Sequence, residues 1–174
     1  MSTATLQRTA AQTLSNEDVQ QFLYAEARCL DDREWDQWLA FYHDDCEFWM
    51  PAWDDHDTLT EDPQNEMSLI YYPDKSGIED RVFRIKTDRS SATSLPEPRT
   101  SHNLSNIEII SQQDGELKVR FNWLTMNYRY GKTDQHWGCS FYTIDTTGPT
   151  PLITAKKIVL KNDVIHHVID IYHI

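Results

Sequence analysis

Apolar positions along the first third of the chain fall at helical spacing. Val19, Phe22, Leu23, Ala27 and Leu30 line one face of a helix, with Ser15 as its N-cap and Glu17 and Asp18 in the first turn, where the helix dipole favours negative charge. Asp31-Asp32 interrupts the pattern and caps a second, short helix. Trp35, Trp38, Leu39 and Tyr42 follow it at i, i+3, i+4 and i+7. The period then changes. Glu47-Phe48-Trp49-Met50 reads as an aromatic strand that Pro51 closes, because proline cannot donate to a ladder. Trp53 to Glu66 has no period and reads as an exposed acidic loop. Met67–Tyr72 is a strand stopped by Pro73, and a third helix is expected around Ile78 to Lys86 after Gly77. Thr87 to Asn103, rich in Ser, Thr, Pro and Arg, reads as a second long loop, and such loops are usually functional or mobile.

The remainder reads as β. Asn106–Ser111 and Glu116–Tyr128 flank Gln112-Gln113-Asp114-Gly115, a hairpin signal with glycine placed for positive φ. Leu117, Val119, Phe121 and Trp123 alternate onto one face. Gln135–Asp145 follows, then a Gly148-Pro149 turn, Leu152–Lys161, a turn at Asn162-Asp163, and a last strand over Val164–Ile174. Helices followed by a long antiparallel meander predict an α+β fold: a cone-like, curved antiparallel sheet with the N-terminal helices packed on one face, as in NTF2-like and cystatin-like folds. Residues 1–14 are expected to be a flexible arm, and residues 15–174 one domain.

Composition narrows the function classes. The 174 residues carry a formal charge of -12, which repels nucleic acid and anionic membrane surfaces and excludes both as partners. No apolar run has the length of a membrane span, and the first eighteen residues lack a signal-type hydrophobic core, so a cytoplasmic location is expected. Cys29, Cys46 and Cys139 are odd in number and have no paired spacing; they read as reduced thiols. Glycine-rich nucleotide loops and the G-x-S-x-G elbow are missing from the sequence.

Four chemistries merit weighing. Asp163 and His166, with His167 and His173, resemble a carboxylate and histidine iron set. On a strand, however, His166 and His173 point to opposite faces, and His167 lies roughly 20 Å from His173 at about 3.3 Å per residue; no metal site is expected. The run Asp54-Asp55-His56-Asp57 lacks the glycine and distal glutamate of a calcium loop. Acid–base catalysis inside a cone would draw on Asp170, His102 or His167, with Tyr128 or Tyr142 as hydrogen-bond donors, but satisfied polar residues at strand ends are the stronger reading. Cys46 and Cys139 have no activating base nearby in sequence. Finally, Arg81, Arg84, Arg89 and Arg99 beside Tyr71 and Tyr72 form a basic and aromatic group on an acidic protein, the residue types that dock proteins.

Long stretches also resemble a known family. Glu47-Phe48-Trp49-Met50-Pro51, Leu69-Ile70-Tyr71-Tyr72, Arg81-Val82-Phe83-Arg84-Ile85, and Arg99-Thr100-Ser101-His102-Asn103 with Ser105-Asn106 look like the small (β) subunit of aromatic-ring-hydroxylating dioxygenases. The benzoate, toluate, 2-halobenzoate and anthranilate branch is the most similar. The likeness runs from about Ser15 to the end. It implies a cone-like fold and a partner large (α) subunit in a hexamer of three large and three small chains. The large subunit would hold a Rieske [2Fe–2S] cluster and a mononuclear non-haem iron, a reductase would bring electrons from NADH, and the product would be a cis-dihydrodiol. The small subunit is then structural and carries no catalytic, cofactor-binding or metal residue. Its contact with the large subunit is expected at Trp53, Tyr71, Tyr72, Arg81, Arg84, Arg99, His102 and Asn103. A stand-alone cone isomerase or dehydratase, or a small-ligand binding protein, is the alternative.

Overall fold

The computed structural model describes residues 13–87 and 97–174. Two helices open it, α1 (Asn16–Asp31) and α2 (Trp35–Leu39), followed by strands β1 (Tyr42–Pro51) and β2 (Ser68–Tyr72). Helix α3 (Ser76–Lys86) precedes four long strands: β3 (Arg99–Gln113), β4 (Glu116–Arg129), β5 (Lys132–Asp145) and β6 (Leu152–Leu160). The strands form one sheet in the order β2-β1-β6-β5-β4-β3. All neighbours are antiparallel except β1 and β6, which run parallel. The expected α+β architecture, a curved sheet with helices on one face, is the one observed.

Local chemistry explains most of these elements. Ser15 and Asp18 form a reciprocal capping box at the start of α1, a device worth about 1 kcal/mol. Asp114 and Gly115 both take positive φ in the β3–β4 turn, as do Tyr130 and Gly131 between β4 and β5; this is the twist-compatible geometry of a two-residue hairpin. Leu117, Val119, Phe121 and Trp123 are all buried on the inner face. Curvature has a visible source in β3, where Asn106 adopts positive φ and the register with β4 slips between Ser105 and Glu108. Such bulges bend a strand and increase its twist.

Several expectations need correction. Residues 99–103, read as loop, are the start of β3, so the edge strand is longer than Asn106–Ser111. Tyr42 is the first residue of β1, not part of α2, although its ring still packs on Trp38 with centroids 4.8 Å apart. The larger difference is at the C-terminus. Val164–Ile174 is not a strand: the chain runs irregularly and closes in a 3-10 turn at Ile171–His173. Strand β6 already has β5 on one side and β1 on the other, so no ladder is open beside it, and β-branched composition alone cannot make a strand. Of the expected arm 1–14, residues 1–12 lie outside the described residues, and so does Arg89. Leu14 packs against the core and donates its N–H to Gln112 Oε1 at 3.1 Å.

Candidate functional site

Antiparallel pairing puts directly opposed residues on the same face, so the register sorts every side chain to the inside or the outside of the curved sheet. Three places on it carry polar chemistry or unmatched apolar surface.

The first is a charged knot at the centre of the inner face. Glu26 projects from α1 onto the sheet, where its Oε1 accepts from Trp38 Nε1 at 2.7 Å, Tyr42 Oη at 2.6 Å and Lys156 Nζ at 3.2 Å. Tyr142 donates to Oε2 at 3.4 Å. Burial alone would raise the Glu26 carboxyl, but the Lys156 ammonium and these hydrogen bonds outweigh it and hold the group below the usual carboxylate range. Burial, then the nearby Glu26 charge, pushes both tyrosines well above their ordinary value. With Phe48, Phe121 and Trp123, all buried, this knot packs the centre of the inner face. Trp49 and Phe141 face outward: Trp49 pairs with Lys157, and Phe141 with Lys157 and Arg120. Burial drives the Cys46 thiol up to about 12, so it is protonated and unreactive at neutral pH.

The second is a polar row nearer the mouth of the cone. His102, Thr125 and His136 are register partners across β3, β4 and β5, with Trp123 and Asn127 flanking Thr125 on the same face. Asp31, at the end of α1, fixes His102 by accepting its backbone N–H at 2.9 Å and meeting Nδ1 at 2.6 Å. Burial opposes ionisation of Asp31, but the hydrogen bonds from His102 prevail and lower its pKa. His102 Nε2, Trp123 Nε1, Thr125 Oγ1, His136 Nδ1 and one end of the Asn127 amide are buried with no hydrogen-bond partner among the described residues. Such atoms cost about 1–3 kcal/mol each unless something meets them.

The 3-10 turn closes over this row. Arg81 of α3 grips the buried Asp170 carboxylate in a two-pronged pair, Nε to Oδ1 at 2.6 Å and Nη2 to Oδ2. Asp170 in turn accepts from Ile171 N–H at 2.8 Å, and its own N–H donates to His173 Nδ1 at 3.0 Å. The neutral His173 ring therefore carries its proton on Nε2, 3.1 Å from the Asn127 amide. The amide must present its oxygen there, which leaves its NH2 as the unpartnered end. Burial, and then the nearness of His136 and His102, depresses His173 to about 3, and burial lowers His136 as well. A groove of about 960 Å³ opens over Asn127, His136 and His173, with Arg81, Arg84, Arg129 and Lys132 on its walls.

The third place is the outer face. Trp137 and Phe141 on β5 are 50% and 40% exposed, and Met126 and Tyr128 on β4 are similarly open. Leu124 opposes Trp137 across the ladder, and Trp49 and Tyr71 are paired on the same side at the other end of the sheet. Contiguous apolar surface of this kind marks contact with another molecule. Sequence reasoning missed Trp137, Met126 and Phe141 as surface residues; for Met126 the available signal was its even position against the odd-numbered Leu117–Trp123 of the same strand, whereas Trp137 and Phe141 lie on β5 and need the register.

The expected interface residues do not form one cluster. Tyr71, Arg99 and Asn103 belong to the outer face, at opposite edges of the sheet. Trp53 joins them at the surface, its indole N–H donating to Leu160 O at 2.7 Å and Lys161 lying 4.9 Å over its ring. Tyr72 and His102 face inward, His102 with only 3% of its side chain exposed. Arg81 and Arg84 line the groove, Arg84 paired with Asp80 one helical turn away. Nor do the acid–base candidates converge: Asp170 is held by Arg81, Tyr142 by Glu26, His167 lies 3.5 Å from Asp134 on the surface, and Tyr128 is outside the cone. The strand expected to hold His166, His167 and His173 apart does not form. Among the described residues, no three of His, Cys, Asp or Glu stand close enough to hold a metal.

Residues 25–167 match the family model described as "Ring hydroxylating beta subunit". The chain belongs to that family. It is 62% identical over 162 residues to the toluate 1,2-dioxygenase subunit beta of Pseudomonas putida, covering 93% of this chain and 99% of that one. It is 58% identical to the benzoate 1,2-dioxygenase subunit beta of Acinetobacter baylyi, over 93% and 95% of the two chains. Among solved structures, the beta subunit of benzoate 1,2-dioxygenase from Burkholderia mallei superposes with a TM-score of 0.80 at 50% identity, over 94% of this chain and 99% of that one. As a ring-hydroxylating beta subunit, the chain is the small subunit of an aromatic-ring 1,2-dioxygenase, an oxidoreductase, and membership implies a large alpha subunit as its partner. No helix among the described residues is long and apolar enough to cross a membrane.

Proposed function

We propose that this chain is the structural, non-catalytic small subunit of a dioxygenase that converts a benzoate-type aromatic acid to a cis-dihydrodiol. Three small and three large subunits make the hexamer, which works in the cytoplasm. The large subunits carry the Rieske [2Fe–2S] cluster and the mononuclear iron, and a reductase supplies electrons from NADH. The observation that carries this reading is the 62% identity to the toluate dioxygenase subunit along almost the whole of both chains. The packed centre of the inner face supports it, because Glu26 and Lys156 are buried there as an ion pair among aromatic side chains.

The large subunit meets the outer face of the sheet, with Trp137 and Phe141 at the centre of the contact and Tyr71, Arg99 and Asn103 around them. Aromatic anchors of this type dominate interface energies. Co-expression with the large subunit and native mass spectrometry test both statements. The wild-type pair is expected to co-purify as a hexamer that oxidises benzoate or toluate, while the small chain alone turns over neither. Trp137→Ser with Phe141→Ser should leave the isolated chain folded, since surface changes cost only about 0.5 kcal/mol, yet abolish co-purification. Turnover by the small chain alone would refute the structural role. An undiminished hexamer from the double variant would refute the contact face.

A further inference from the structure

Four lysines of this acidic chain are neutralised within it: Lys75, Lys86, Lys118 and Lys156 each lie within ion-pair distance of an aspartate or glutamate. Lys157 and Lys161 differ. Both belong to the outer face, and among the described residues neither has a carboxylate partner, although the chain carries 28 acidic side chains against 16 lysines and arginines. Each lies instead over an indole ring, Lys157 4.3 Å from the centre of Trp49 and Lys161 4.9 Å from that of Trp53. The face of the ring attracts the ammonium and holds it in place. An aromatic also stands on the other side of each lysine. Phe141 opposes Lys157 in the β5–β6 register, and Lys161 continues that ladder, donating its N–H to Trp137 O at 2.8 Å. Both of these aromatics are exposed. Glu47, on the same face of β1, is opposed to Ala155 rather than to Lys157. The outer face thus presents two cations set among aromatic side chains, roughly 13 Å apart at about 3.3 Å per residue.

We propose that Lys157 and Lys161 each receive a carboxylate of the large subunit, so that the segment docking on the outer face is acidic as well as apolar. This rests on the subunit role and contact face given above and adds the chemistry of the partner surface. Charge decides it. Any apolar surface satisfies Trp137 and Phe141, but a neutral one laid over the lysines would leave both ammonium groups buried and unpaired, which is costly. A carboxylate at each position offsets that cost. The aromatic side chains exclude water around the ammonium once the partner has docked, and a charge-assisted hydrogen bond is stronger in such surroundings. Stacking has already fixed each lysine, so less side-chain freedom is lost on binding. A second copy of this chain fits less well. Two copies of net charge -12 repel each other, and a self-complementary contact through this face would bring the same two lysines to it.

The test uses the small chain co-expressed with its large subunit. A carbodiimide joins an amine to a carboxylate only where the two touch, and peptide mass spectrometry then locates the link. Lys157 and Lys161 are expected to be joined to aspartate or glutamate side chains of the large subunit. Lys157→Glu with Lys161→Glu should weaken assembly at least about tenfold in about 0.1 M salt, measured by sedimentation over a dilution series. The deficit should shrink in about 1 M salt, where the Debye length falls to about 3 Å. Lys157→Met with Lys161→Met keeps the reach of both side chains; it should also weaken assembly, with less dependence on salt than the wild type, and it carries the test if the glutamate pair does not fold. An intact hexamer in which neither lysine is linked to the large subunit, links from both lysines to a second small chain, or undiminished assembly of either double variant would overturn the proposal. A wild-type pair that does not co-purify defeats the subunit role itself. A hexamer lost with Trp137→Ser and Phe141→Ser but unmoved by the lysine variants defeats the carboxylate contact alone.

Discussion

Acid should destabilise this chain through His173 before it does so through any carboxylate. The ring lies under the 3-10 turn with Nδ1 committed to the Asp170 amide and Nε2 to Asn127, and its pKa falls to about 3. An unfolded histidine titrates near 6.5. The folded-state value is depressed, so the stabilisation is fully present above about pH 6.5 and is lost as pH falls, because the unfolded chain takes up a proton that the folded chain refuses. Each pH unit below 6.5 costs about 1.4 kcal/mol until the folded ring titrates. Between pH 7 and pH 5 the loss from His173 is therefore about 2 kcal/mol. That figure barely depends on where below 4 the folded value lies, because at pH 5 the folded ring is neutral in either case. Glu26 and Asp31 act in the same direction, since both are held below their ordinary values, but their contributions fade only below about pH 5, where unfolded carboxyls begin to protonate. The interval from 7 to 5 is thus a histidine window. His136, lowered by burial, adds to the loss.

The variant that isolates the effect is His173→Asn, whose side-chain oxygen can still accept the Asp170 N–H and whose amide does not titrate. Urea unfolding followed by tryptophan fluorescence at pH 7 and pH 5 gives the two stabilities. The wild type should lose at least about 2 kcal/mol on acidification, and the variant about 2 kcal/mol less than the wild type. Equal losses in the two proteins would refute the reasoning, since they would mean that His173 is protonated in the fold or that the turn is open to water.

Two further substitutions test the core. Lys156→Met leaves the Glu26 charge buried without its cation and should cost about 3–5 kcal/mol, while adding Glu26→Gln should recover much of that; a double-mutant cycle from urea titrations measures the coupling, and a single-variant cost below about 1 kcal/mol would contradict the buried pair. Gly138→Ala places a methyl 2.0 Å from the Val159 carbonyl oxygen and 3.2 Å from the Trp123 ring. One strand must then shift, so a loss of about 1–3 kcal/mol is expected in the same assay, with no change in stability counting against the tight β5–β6 approach.

How much of this was legible in the sequence depended on whether the signal was local. The N-cap at Ser15, the turn at Asp114-Gly115 and the alternation from Leu117 to Trp123 involve neighbours in the chain, and all three appear as read. The C-terminal segment failed because a strand needs an open ladder, and β6, from which Val164–Ile174 continues, already has β1 and β5 on its two sides. The candidate site failed for a related reason. His102, Thr125 and His136 lie on three strands, and only the register brings them into a row. Asp31 could be seen as a helix terminator, but its bond to His102 spans 71 positions and leaves no local trace. Likewise Arg81 stood in the sequence as one of a basic group, and its partner Asp170, 89 positions away, left no local trace.

The four tryptophans between Trp35 and Trp53 show why a cluster in sequence need not be a cluster in space. Trp38 is fully buried and donates to Glu26, at the heart of the inner face. Trp35 packs beside Tyr172 at the closing turn, with ring centroids 6.3 Å apart. Trp49 and Trp53 face outward, each with a lysine over its ring, Lys157 at 4.3 Å and Lys161 at 4.9 Å. Parity along β1 makes the division: Cys46, Phe48 and Met50 point in, and Trp49 points out with Tyr71 as its neighbour on β2. β1 thus carries aromatics on both faces of the sheet, and both Phe48 and Trp49 are buried. On the inner face the room beside Phe48 is taken by Lys156, which is paired with Glu26. Opening it would require removing a buried ion pair together with its tyrosine and tryptophan donors, several substitutions at once, each destabilising by itself. The apolar surface left open on this sheet is its outer face, where Trp137 and Phe141 stand exposed.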